Sequence, residues 1–124
     1  MGLEPADYLY EIKKVYYADG QRIMYRHIFI AFDRFPEIKL DELKHEEIIP
    51  LLDGKYNFID GSFKSKASAA LVDKSIHKYL DAKIHDAEEI INIEGYENER
   101  LVFLEQDHVV GFLPMYLKVD TKPF

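Results

Sequence analysis

Residues 66–84 read KASAALVDKSIHKYLDAKI, and the architecture turns on how this stretch folds. Ala, Leu and Lys are strong helix formers, and Ala69, Val72, Ile76, Tyr79, Leu80 and Ile84 recur at intervals of three and four. At about 100° per residue they make one apolar stripe, with Lys83 as its charged intruder, while Lys74, Lys78, Asp81 and His85 point away. Ser62 or Ser65 is available as N-cap. The spacing predicts one long helix, Lys66 to Ile84, laid on a sheet.

The sheet begins with the opening hairpin. Asp19-Gly20 separates two β-prone runs, Tyr8 to Tyr17 and Arg22 to Phe32, and Asp-Gly suits a type I′ turn because both central residues need positive φ. A two-residue turn puts Tyr8, Tyr10, Ile12, Tyr16, Ile23, Tyr25 and Phe29 on one side, the expected core face. Between Asp33 and Leu52, Leu40, Leu43, Ile48 and Leu51 take helical spacing, with Asp41 as a cap and Pro50 as a limit. Lys55 to Ile59 reads as a short strand between Asp-Gly turns. Glu88 to Glu94, Glu99 to Glu105 and Val109 to Val119 read as an antiparallel meander with a turn near Asp107. The expected fold is α+β, a single domain over residues 1–124 with an antiparallel sheet, one long and one short helix, in the order β-β-α-β-α-β-β-β.

Composition excludes several classes. The chain of 124 residues has no cysteine, so disulfide frameworks, Cys-containing zinc sites, iron–sulfur clusters and a cysteine nucleophile are ruled out. The apolar run Val109 to Leu117 is too short for a membrane helix and contains Pro114. No basic-then-apolar leader opens the sequence, so a soluble cytoplasmic protein is expected. A net charge of −7 disfavours nonspecific binding to nucleic acid or to an anionic membrane. The charge is uneven: 63–84 is basic, and the segments on either side of it are acidic. That alternation, with an unpaired edge at Val109 to Val119, is a recipe for self-association as a homodimer.

Three groups of residues bear chemistry. His77, Asp81 and His85 fall at i, i+4 and i+8 of the expected helix, a spacing that presents metal ligands on one side. Ser62, Lys64, Ser65 and Lys66 lead into its N-terminus, where free backbone N–H groups, hydroxyls and ammonium groups favour an anion. Tyr10, Lys14, Tyr25, His27 and Phe29 bring ring faces, hydroxyls and a cation to the first hairpin, the makings of a small-molecule pocket. No Gly-x-Ser-x-Gly elbow surrounds any serine, and no glycine-rich phosphate loop is present. The reading that follows is a small acidic non-enzymatic module with no cofactor, which binds another protein and self-associates. The alternatives are a metal-dependent hydrolase built on His77, Asp81 and His85, a domain for a small anionic ligand or nucleotide, and an acidic inhibitor that mimics nucleic acid.

Overall fold

A computed structural model of the chain describes residues 8–58 and 62–110, with the side chain of Ser62 left out. The elements run β1 (Leu9–Ala18), β2 (Gln21–Ala31), α1 (Leu40–His45), α2 (Ile48–Gly54), β3 (Ser62–Leu71), α3 (Lys74–His77), β4 (Ala87–Glu97) and β5 (Arg100–Val109). The five strands form one antiparallel sheet in the order β1-β2-β5-β4-β3. The α+β class is as expected. The helix over 66–84 is not there, and the order becomes β-β-α-α-β-α-β-β.

The hairpin forms for the reason given: Asp19 and Gly20 both take positive φ, 49° and 76°. At its far end the Phe32 N–H donates to the Tyr8 carbonyl at 3.0 Å. Its core face differs from the expected one. Ile12 and Tyr25 are buried, but Tyr8 is 82% exposed, and Ile28 and Ile30, from the other side of β2, are fully buried.

Residues 62–71 are a strand because a tertiary demand outweighs helix propensity, which is a weak prior. The edge of the long strand β4 needs a partner, and β3 supplies it. Asp73 then stops any helix that would run through it. Its backbone is extended (φ −107°, ψ 179°), and its carboxylate accepts from the N–H groups of Ser75 and Ile76, so it caps a new helix, α3, rather than continuing an old one. The Val72 N–H donates to the Asp86 carbonyl and the His85 N–H to that of Val72, both at 2.8 Å, which folds the chain back on itself.

Other boundaries move for local reasons. The expected helix before Leu52 is two helices, broken where Glu46 and Glu47 are extended. Lys39, not Asp41, is the N-cap of α1. Pro50 lies in the first turn of α2, where no N–H is needed. Lys55 and Tyr56 turn out of α2 and are not strand, while Ile59 lies outside the described residues. β4 and β5 meet at Asn98-Glu99, both at positive φ, and β5 runs straight through Asp107. The expected strand Val109 to Val119 lies outside the described residues beyond Val110. Among the described residues no helix is long and apolar enough to cross a membrane.

The chain divides into two compact units. The first comprises residues up to Ile12 together with Ile28–Ser65 and Ile93–Glu105. Its core joins Ile12, Ile28 and Ile30 to Phe35, Leu43, Leu52, Phe58 and Phe103. Aromatic contacts run from Phe35 to Phe58, to Phe63 and on to Phe103. Glu42, on α1, is its polar hub. It accepts from the Lys39 N–H at 3.0 Å, the Lys55 ammonium at 2.6 Å and the Tyr56 hydroxyl. The second unit comprises Lys13–His27, Lys66–Asn92 and the residues from Gln106 on. Tyr25, Val72, Leu80 and Val110 form its core, with Val15, Ile76, Tyr79 and Ala82 packed against them.

Lys55, then Tyr56 and the Lys39 N–H, hold the Glu42 carboxyl at about 2, against an ordinary value of 4.5. A depressed folded-state pKa adds stability that is present above the unfolded value and lost as pH falls through the folded one. Urea midpoints of the wild-type chain should therefore fall between pH 4.5 and 2. Glu42→Gln should lower the midpoint at neutral pH and flatten that part of the profile. Gly95→Ala tests the sheet packing, since a Cβ there would stand 2.9 Å from Phe103 Cβ and 3.0 Å from Phe63 Cε1. Overpacking of this kind costs about 1–3 kcal/mol, to be read from the same denaturation curves.

Candidate functional site

The candidate site lies in the second unit, where charged side chains gather around a cleft. The cleft follows from how residues 77–86 are held. Arg22, just after the hairpin turn, donates from its backbone N–H to Asp81 Oδ2 at 2.7 Å. Its guanidinium donates to Asp81 Oδ1 from Nη2 at 3.0 Å and from Nε at 3.3 Å, and to the Lys78 carbonyl from Nη1 at 2.9 Å. The Asp81 N–H returns a bond to the Arg22 carbonyl at 3.0 Å. The hydrogen bonds from Arg22 hold the Asp81 carboxyl below its ordinary range, and Asp81 raises Arg22 in turn.

Beside this clamp opens a cleft of about 460 Å³, with Leu80 and Ala82 among its lining and Arg22, Lys78, Lys83, His77, Asp81 and Asp86 around it. Asp86 is engaged by the Lys83 N–H at 2.8 Å. The His77 Nδ1 lies 2.7 Å from the Ala82 carbonyl. A carbonyl only accepts, so Nδ1 carries a proton. Its volume and its few convergent polar groups suit a small molecule.

Two polar pairs lie on the strands of this unit. Arg26 holds Asp107 with Nε to Oδ1 at 2.9 Å and Nη2 to Oδ2 at 3.3 Å, and its Nη1 donates to the Tyr16 hydroxyl at 3.1 Å. The Asp107 side chain is 4% exposed. The second pair is His108 and Glu88, both buried, joined through Nδ1 and Oε1. The other ring nitrogen of His108 faces Gln106 Oε1 at 3.0 Å, and the Gln106 amide is oriented by Asn92 at 2.9 Å. Glu88 Oε2 is buried and has no partner among the described residues.

The residues singled out in the sequence are placed differently from expectation. His77, Asp81 and His85 lose their common helix face because α3 ends at His77 and His85 lies in a turn at φ 75°. Asp81 is occupied by Arg22, and among the described residues no three metal-ligating side chains gather. Lys64, Ser65 and Lys66 lie on β3, exposed, with Ser62 at its start, so the helix N–H donors expected there do not exist. Lys64 Nζ stands 5.0 Å from the centre of the Tyr96 ring.

Of the proposed pocket, Tyr10 and Phe29 belong to the first unit, and Lys14, Tyr25 and His27 to the second. The Tyr10 hydroxyl donates to the Phe35 carbonyl at 2.7 Å, and Tyr25 is a core residue stacked on Tyr79. Of the acidic residues between Asp86 and Asp107 read as a mimic of nucleic acid, Glu88, Glu105 and Asp107 are buried and Glu97 pairs with Arg34, while Asp86 and Glu99 are exposed. Sequence reasoning missed Arg22, Arg26 and His108. The available signal was Gln106-Asp107-His108, a polar run continuing an apolar strand.

Comparison with known proteins agrees with this fold. The profile of the UTRA domain matches residues 1–111. No curated protein matches the chain in sequence. Among solved structures, the chain is similar to a GntR-family transcriptional regulator from Enterococcus faecalis V583, with a TM-score of 0.75 and 21% identity over 89% of this chain and 79% of that one. It is similar to the effector-binding domain of the trehalose repressor of B. subtilis, with a TM-score of 0.75 and 12% identity over 98% and 79% of the two chains. A third likeness is to the C-terminal domain of Yurk from Bacillus subtilis, with a TM-score of 0.71 and 19% identity over 86% and 74%. At these identities the structural likeness carries the fold.

His108→Leu tests the buried pair directly. It leaves Glu88 without its donor, and a buried polar group left unsatisfied costs about 1–3 kcal/mol, read as a drop in the denaturation midpoint. A loss near zero would mean that the pair is not formed as described.

Proposed function

The chain belongs to the UTRA domain family, and from that membership we propose that it is the part of a GntR-type transcriptional regulator that senses a small molecule. UTRA domains are the ligand-binding effector domains of such regulators, which overturns the reading of the chain as a self-associating protein-interaction module. The metal-dependent hydrolase falls with it, as does the acidic mimic. The edge at Val109 to Val119 on which the homodimer expectation partly rested lies outside the described residues beyond Val110.

The observation that carries the proposal is the match of the family profile to residues 1–111. The cleft supports it with the volume a small molecule needs and with charged groups of both signs at its rim. A net charge of −7 fits a part of the regulator that leaves DNA contact to other segments. In this reading the effector is small and polar, with at least one anionic group facing Lys83 and a polar group facing His77.

The test is a thermal-shift screen of sugar phosphates, amino acids and small carboxylates, followed by calorimetry on the compounds that stabilise. A bound effector should raise the melting temperature through linkage. Lys83→Ala should weaken its binding by about tenfold, the loss of one charge-assisted hydrogen bond. A screen in which no compound of any of these classes stabilises the chain would overturn the reading.

A further inference from the structure

Two ammonium groups with no carboxylate partner among the described residues converge on one phenol. Lys13 Nζ stands 5.9 Å from the centre of the Tyr79 ring, and Lys78 Nζ stands 5.1 Å from it. Lys13 comes from β1 and Lys78 from the end of α3, so their approach is made by the fold and not by neighbourhood in sequence. The ring between them is fixed: Tyr79 stacks on Tyr25 with 4.1 Å between centres and 3° between planes, and Tyr25 is a core residue.

The carboxylates nearby in sequence are already engaged. Asp81 is held by Arg22, Asp86 by the Lys83 N–H, and Asp73 by the first turn of α3. Burial would raise the Tyr79 phenol, but the two lysines outweigh it and hold the phenol below its ordinary value. Two like charges brought together without a counter-charge repel, and a cation–π contact at an exposed site returns only a fraction of what a charge-assisted hydrogen bond gives.

We propose that Lys13, Lys78 and the Tyr79 hydroxyl form a binding site for a small oxyanion, the phosphate or carboxylate group of a small molecule. Both ammonium groups donate to its oxygens, and the phenol O–H donates a third bond. Lys78 also borders the cleft, so one residue serves both places. The site stands on the geometry around Tyr79 and does not depend on the effector-sensing reading.

Inorganic phosphate and acetate, titrated separately into the full chain, test it by two-dimensional amide NMR. The expected result is a saturable shift of the amides around Lys13 and Lys78–Leu80 with at least one of the two anions. Saturation by phosphate alone assigns a phosphate group, and saturation by acetate alone a carboxylate. Lys13→Ala and Lys78→Ala should each weaken binding by about threefold to tenfold, as partly exposed charge pairs do. Lys13→Arg should retain it, and Tyr79→Phe, which keeps the ring stack, should weaken it less than either alanine. The absence of a saturable shift with both anions at tens of millimolar, or binding indifferent to Lys13→Ala and Lys78→Ala, would overturn the proposal.

Discussion

The pairing of buried polar and charged groups along the central strand β5 is the constraint on which the rest of the structure depends. β5 lies between β2 and β4, so both of its edges are committed to hydrogen bonds. Its first half, Leu101 to Phe103, is buried and apolar. Its second half holds Asp107 and His108, also buried. A polar or charged group withdrawn from water is tolerated only with a partner. Arg26 on β2 supplies one for Asp107, and Glu88 on β4 supplies one for His108. The neighbours of β5 must therefore be these strands, in the register that brings these side chains together.

From that requirement the features of the second unit follow. β4 reaches Glu88 only if it begins near Ala87, which leaves residues 72–86 to make the return from β3. That segment is too short for a long helix. It becomes one turn of helix capped by Asp73, a bend fastened to β2 through Arg22 and Asp81, and a tight turn at His85. The cleft beside Arg22 and the lysines around Tyr79 are products of this fastening. The proposed sites in this part of the molecule thus rest on a segment held by turns and side-chain hydrogen bonds and not by continuous secondary structure.

The part of the fold written in local chemistry was legible in the sequence. Asp19-Gly20 announces its turn, because few residue pairs accept positive φ twice. The α+β class and the antiparallel pairing follow from periodicity and turn residues. Residues 62–84 were not legible, because their Ala and Lys content favours a helix while the open edge of β4, a distant demand, requires a strand. Asp73 was the local warning, a good N-cap in the middle of an apparently continuous helix. The site was less legible than the fold. Arg22, Arg26 and His108 have no motif spacing, since their partners lie 59, 81 and 20 residues away.

Native-state hydrogen exchange, resolved by residue, tests the central claim most directly. With β5 at the centre of the sheet and its buried polar groups paired, the amides of Leu101 to His108 should exchange most slowly and only through global unfolding, while those of β1 and β3, the outer strands among the described residues, exchange faster through local opening. Protection of β5 no greater than that of β3, or early exchange confined to its half around Asp107 and His108, would contradict the account.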